Sequence, residues 1–209
     1  MAVRAIDGYL EDVMTAKTEI TRADLIPMAD YGSLRDERRR AVATLKRPRR
    51  IAVGPDATFY FENYETMLHQ VHEMLYVEQG GEAQIEDELR AYNPLIPDGR
   101  TLVATLMIEI DNPVRRAKVL RELAGIEEHI SLIIGETRVQ AVSDDDAERT
   151  TADGKTSSVH FVRFPFTPDQ IEAFRADGAR VLLAIEHPNY SHLATLSEEA
   201  RRSLSEDFA

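Results

Sequence analysis

Residues 61 to 74, FENYETMLHQVHEM, place Glu65, His69 and His72 at i, i+4 and i+7, a spacing that stacks side chains along one helical face. Ligands one turn apart are how helices hold Fe, Mn or Zn, so this stripe is a candidate metal site. Length limits it. At 1.5 Å of rise per residue, Glu65 and His72 stand about 10 Å apart along the axis, so the helix supplies two ligands at most. A third would come from His129, His160 or His187. HQVHE matches neither zincin pattern, and the Glu-x-x-His pairs of di-iron bundles are missing. A second stripe, Glu62, Thr66, Gln70 and Glu73, flanks the core-facing arc of Tyr64, Met67, Leu68, Val71, Met74 and Leu75. Thr and Gln suit a solvated face poorly, so this row reads as a seam hydrogen-bonded to a neighbouring segment, or as a row facing a ligand.

Composition narrows the chemistry that these residues could perform. The 209-residue chain has no cysteine, which excludes disulfides, thiolate nucleophiles and cysteine-ligated metals. Its net charge of -12 opposes general attraction to nucleic acid or anionic lipid. One segment runs against that balance: RDERRRAVATLKRPRR, residues 35 to 50, holds eight of the 25 Lys and Arg residues. It reads as a solvated helix face, or as a docking surface for an acidic partner or an anion through Arg35, Arg39, Arg49 and Arg50. No apolar run is long enough to span a bilayer, and the first residues carry acids where a signal peptide is apolar, so a cytoplasmic location is expected. No dinucleotide-binding, P-loop or nucleophile-elbow motif occurs, and Asp144 to Asp146 lack the Gly and Glu positions of a calcium loop.

Elements that could position these side chains are legible from pattern. Thr21 and Asp24 form a helix-start signal, and a helix is expected from Met28 to Lys46, stopped by Pro48. RRIAVG is β-capable. The FENYET segment is expected to lie in a helix from about Tyr60 to Gln79, followed by a helix over EAQIEDELRAY. After the turn-rich NPLIPDG the pattern becomes mixed. TLVATLMIEI, HISLIIGETRVQAV, SVHFVRFPF and ARVLLAIEH read as strands, and VRRAKVLRELAG and TPDQIEAFRAD as helices, the latter capped by Thr167 with Pro168 first. Residues 143 to 157 read as a polar, mobile loop, and LSEEARRSLSEDF as a last helix with Ser197 as cap. The expected class is α+β: a mostly helical half, residues 1–97, packed on a largely antiparallel four- to five-stranded sheet with two or three helices in residues 98–209, around a shared core.

RRIAVGP, FENYET with QVHEM and Glu78, AYNPLIP, LVATLMIEID, VHFVRFPF and IEHPNY together resemble a bacterial family catalogued as domain of unknown function 3501. The resemblance spans about Ile20 to Leu204. It implies that Glu62, Asn63, Thr66, Gln70, Glu73, Met74 and Glu78 form the shared pattern of the helix, that His69 and His72 do not belong to it, and that His160 and His187 do. Genes of this family often lie beside a rubrerythrin-like protein and an Fe–S oxidoreductase, which implies a redox setting. A joint site is then expected between helix and sheet, with Glu62, Gln70 or Glu73 facing His160 and His187 and able to hold one Fe, Mn or Zn ion or to act as acid and base. Two functions follow: an accessory protein docking a redox partner through the basic segment, or a small metal-dependent or acid/base enzyme.

Overall fold

The computed structural model describes residues 17–143 and 155–209. The first residues of the chain and most of the acidic loop, including Asp144 to Asp146, lie outside the described residues.

Nine strands form two antiparallel sheets among the described residues. The first has the order β1 (Arg50–Val53), β2 (Ala57–Glu62), β3 (Thr101–Ile108), β7 (Val159–Pro165) and β6 (Val142–Ser143). The second runs β5 (Thr137–Gln140), β4 (Ile130–Ile134), β8 (Val181–His187) and β9 (Tyr190–Thr195). Register puts Phe59, Leu106 and His160 on one face of the first sheet, with Phe61, Ala104 and Val162 following two residues on. This face packs with Ile130, Leu132, Ile134, Leu183 and Ile185 of the second sheet in one apolar cluster, which joins residues from both sides of residue 98. Sheet on sheet is the arrangement that buries two apolar faces at once.

The opposite face of the first sheet is covered by helices. α1 (Met28–Lys46), α2 (Tyr64–Glu78) and α3 (Glu82–Tyr92) precede β3. Met67, Leu68, Val71 and Leu75 of α2 pack with Leu89, Leu95 and Val103 in a second apolar cluster. The remaining helices, α4 (Pro113–Glu122), α5 (Pro168–Arg175) and α6 (Glu198–Ser205), connect or follow strands. Asn112, Thr167 and Ser197 cap them by accepting from the backbone N–H of the third helical residue. The antiparallel α+β class expected from the sequence is what the chain adopts.

Three local features differ from expectation. The helix expected from Tyr60 begins at Tyr64, because Ala57–Glu62 is strand β2. ATFYFE is rich in β-branched and aromatic residues and is covered on both faces, so it carries no alternation by which to be distinguished from buried helix. Asn63 then caps α2, with its side chain accepting from Thr66 N–H. The six-residue β9 follows the Pro188 turn on the sheet edge, where alternating polar residues resemble a connection. The sheets number two rather than one, with β1 and β2 contributed from before residue 98.

The turn between β1 and β2 is held from the other sheet. Tyr190 Oη donates to Val53 O at 2.7 Å and accepts from the N–H groups of Asp56 and Ala57 at 3.0 and 3.1 Å. Gly54 has φ +75°, and a Cβ there would come within 2.6 Å of His192 and Tyr190, so the turn demands glycine.

Candidate functional site

The sequence stripes regroup in three dimensions. Glu62 ends β2, buried, and joins the two elements on either side of it. Its Oε2 accepts from Thr66 Oγ1 at 2.7 Å, and its Oε1 accepts from Thr105 Oγ1 of β3 at 2.8 Å. Thr66 Oγ1 also accepts from Asn63 N–H at 2.9 Å, completing the cap. Glu62, Asn63 and Thr66 thus form a seam fixing the start of α2 on the sheet, with each carboxylate oxygen engaged by a hydroxyl.

Glu73 belongs to a different group, on the side of α2 that meets α1. Its carboxylate accepts Nε–H and Nη2–H of Arg35, both at 2.8 Å, and Tyr31 O–H at 2.9 Å. The Arg35 pair holds the Glu73 carboxyl down at about 2. Tyr31 is fully buried, its phenol pushed up by burial, and its ring stacks on His72 at 4.9 Å. His72 is also fully buried, and its Nε2 accepts Ile26 N–H at 2.9 Å, which leaves the ring proton on Nδ1. Burial lowers His72 to about 4, so it is neutral at physiological pH. The three proposed ligands of the first stripe therefore lie in unlike settings. Glu65 is exposed, His69 is half-buried, and His72 has its lone pair occupied by the backbone. Gln70 is half-buried on α2, one turn from both Thr66 and Glu73.

His160 and His187 are not brought to α2. His160 points from β7 into the space between the sheets, the face opposite to α2. Its Nε2 lies 2.9 Å from Ser157 O and 3.3 Å from Thr156 Oγ1, and its Nδ1 lies 3.6 Å from Glu127 Oε2. Carboxylate, imidazole and hydroxyl stand here in the order of an acyl-transfer triad, but a carbonyl only accepts, so Nε2 carries the proton toward Ser157. It has no lone pair with which to take the proton of Thr156. His187, at the end of β8, donates from Nε2 to Ala124 O at 3.2 Å and accepts Asn189 N–H on Nδ1 at 3.2 Å. Its neighbour is His129, whose ring meets it edge-on at 5.1 Å. Among the described residues, no three His, Asp or Glu side chains converge as a metal set.

The basic segment also divides. Arg49 is buried: it donates to Phe61 O, Ser203 O and Glu62 O at 3.0, 3.0 and 2.9 Å and pairs with Asp207. It is a strut beneath α6, and its burial removes it from the docking set. Burial pushes the Asp207 carboxyl up to about 6 against the pull of Arg49, leaving it ionised at neutral pH. Arg35 is engaged with Glu73. Arg39 and Arg50 are exposed, Arg50 lying over the Tyr60 ring and 3.5 Å from Glu109. Arg39 lines a shallow depression with Asp36, Arg40 and Ala43. Tyr31, Thr105, Glu127 and Asp207 went unnoticed in the sequence. Tyr31 alone left a signal, as the one aromatic residue on a highly charged helix.

The architecture defines a two-sheet antiparallel α+β protein carrying a helical layer on one face. The family described as protein of unknown function (DUF3501) matches residues 19–208, and the chain belongs to that family. It is similar to a crystal structure of a protein of unknown function from Burkholderia pseudomallei, with 35% identity and a TM-score of 0.84 over 91% of this chain and 99% of that one. Among curated proteins, none matches the chain. No described helix is long and apolar enough to cross a membrane.

Proposed function

We propose that this is a cytoplasmic accessory protein that docks an acidic redox protein through the unpaired cations of α1. The observation that carries the reading is the state of the α1 cations. Among the described residues, Arg38, Arg39, Arg40 and Lys46 form no ion pair, on a chain whose net charge is -12. Arg38, Arg39, Arg40 and Lys46 outnumber the neighbouring Asp36 and Glu37, and a net-positive cluster on an acidic protein steers and orients a complementary partner. The rubrerythrin-like or Fe–S oxidoreductase proteins implied by the family resemblance are the partners proposed. An enzyme with a site between helix and sheet is served less well, because His72, His160 and His187 each commit a ring nitrogen to the backbone.

The test is isothermal titration of these two partner proteins with the wild type and with Arg39→Glu/Arg40→Glu. The double variant should keep its circular dichroism and lose about tenfold or more in affinity, the effect shrinking in about 0.5 M salt. Equal affinity for wild type and variant would reject the docking face.

A further inference from the structure

A helix in a folded protein owes most of its stability to the face that it buries. α1 buries one residue of 19, Tyr31. Arg38, Val42 and Leu45, at i+7, i+11 and i+14 from Tyr31 and so on its side of the helix, are only half-buried. Among the described residues, the side-chain hydrogen bonds and ion pairs that tie α1 to another element come from Tyr31 and Arg35 alone, and they converge on Glu73, with His69 Nδ1 3.5 Å from the same Tyr31 hydroxyl. Ring contacts reinforce the same two residues: Tyr31 stacks on His72, and the Arg35 guanidinium lies 4.9 Å from the centre of the Tyr76 ring. From Asp36 to Lys46 no such tie exists among the described residues. Prolines bound the helix, Pro27 as its N-cap and Pro48 two residues past its end, and each interrupts the backbone ladder there. Where the chain enters α1, residues 25 to 29 border a cavity of about 530 Å³ shared with Leu75 and Ile85, so the entry is loosely packed. Beyond Pro48 the buried Arg49 fixes the chain to the body of the protein.

We infer that α1 is a latched strap, held shut by Glu73 and opened when a carboxylate of the acidic partner takes Arg35 from it. The strap presupposes the docking reading and gives it an order of events. The Arg35 and Glu73 side chains are 28% and 19% exposed, so the guanidinium fork is within reach of a second carboxylate. Arg38, Arg39, Arg40 and Lys46 on the same helix draw that partner in, an attraction that a lone competing anion lacks. The exchange replaces one charge-assisted pair by another. Glu73 is released to water, Tyr31 loses its acceptor and leaves the His72 ring, and the two sheets stay folded because their apolar cluster contains no residue of α1. Since the latch must break for the partner to seat, its strength is subtracted from the affinity, and weakening it tightens binding.

The chain has no cysteine, so Ala43→Cys with Ala83→Cys, both exposed, carry the only two spin labels, one on α1 and one on α3. Double electron–electron resonance reads the distance between them with and without a ten-residue polyglutamate peptide, whose affinity is measured by fluorescence anisotropy. The labelled chain alone should show one main distance, and peptide should add a second, longer one. Glu73→Gln should populate the longer distance without peptide and bind the peptide about tenfold more tightly. Arg35→Gln should also populate it, with no further change when peptide is added. A contact that merely supported α1 would weaken binding when lost, so a Glu73→Gln variant with lower affinity overturns the strap, as do a single distance with peptide bound and the absence of peptide binding. None of these variants alters Arg39 or Arg40, so the partner titration with Arg39→Glu/Arg40→Glu judges the docking face by itself.

Discussion

The interior between the two sheets and the contact between α1 and α2 are built by different forces. The first is an apolar cluster from every long strand, including Phe59, Phe61, Leu106, Phe164 and Leu183, all at or near zero exposure. The second rests on one fully buried residue of the 19 in α1, Tyr31, and on directional contacts to Glu73, His72 and Tyr76. Apolar burial stabilises by about 25 cal/mol per Å² whatever the orientation, whereas a hydrogen bond adds about 1 kcal/mol but fixes geometry. The sandwich accordingly carries the stability. The helical contact sets where α1 lies, takes in Arg35, and leaves Arg39 and Arg40 exposed.

The largest effects are expected in the sandwich and at its buried ion pair. Phe59→Ala should cost about 3–5 kcal/mol in urea unfolding, with one transition for the whole protein. Asp207→Asn should cost about 3–5 kcal/mol as well, because it leaves Arg49 charged and unpaired in the interior. Both would blur the contrast if the loss fell below about 1 kcal/mol.

The helical contact should respond to pH. His72 titrates at about 4 folded against 6.5 unfolded, so between these values the unfolded chain holds more protons and stability falls as pH drops. The loss should reach about 3 kcal/mol by pH 4, and His72→Gln should flatten that slope. Glu73→Gln should cost about 1–2 kcal/mol and speed amide exchange in α1 without touching β3 or β8. Equal acceleration in the strands would mean that α1 and the sandwich open together. Smallest of all, Arg39→Glu should shift stability by no more than about 0.5 kcal/mol.

What the sequence disclosed follows the same divide. α1 was readable to its last residue, since Pro48 and the Lys46 end mark its stop, and the caps at Thr167 and Ser197 were readable because capping is local chemistry. β2 was hidden because burial on both faces erases alternation. The second polar stripe does not act as one row: Glu62 and Thr66 serve the sheet, while Glu73 serves α1. A helical wheel gives the bearing of a side chain and not the element it meets. Arg49 looked like its basic neighbours because its partner Asp207 lies 158 residues away. His160 and His187 could be placed on strands, but their direction depends on which strands pair, and pairing is a long-range property.

The Tyr190 hydroxyl has a consequence for how the chain assembles. The β1–β2 turn is a tight local hairpin, yet its Val53 carbonyl and its Asp56 and Ala57 amides find their partner 137, 134 and 133 residues later. Until β9 arrives, the hairpin has a glycine turn with polar backbone that only water can satisfy. Assembly is therefore expected to be governed by closure of that long loop, and Tyr190→Phe should slow refolding as well as weaken the final state if the bond forms in the transition state.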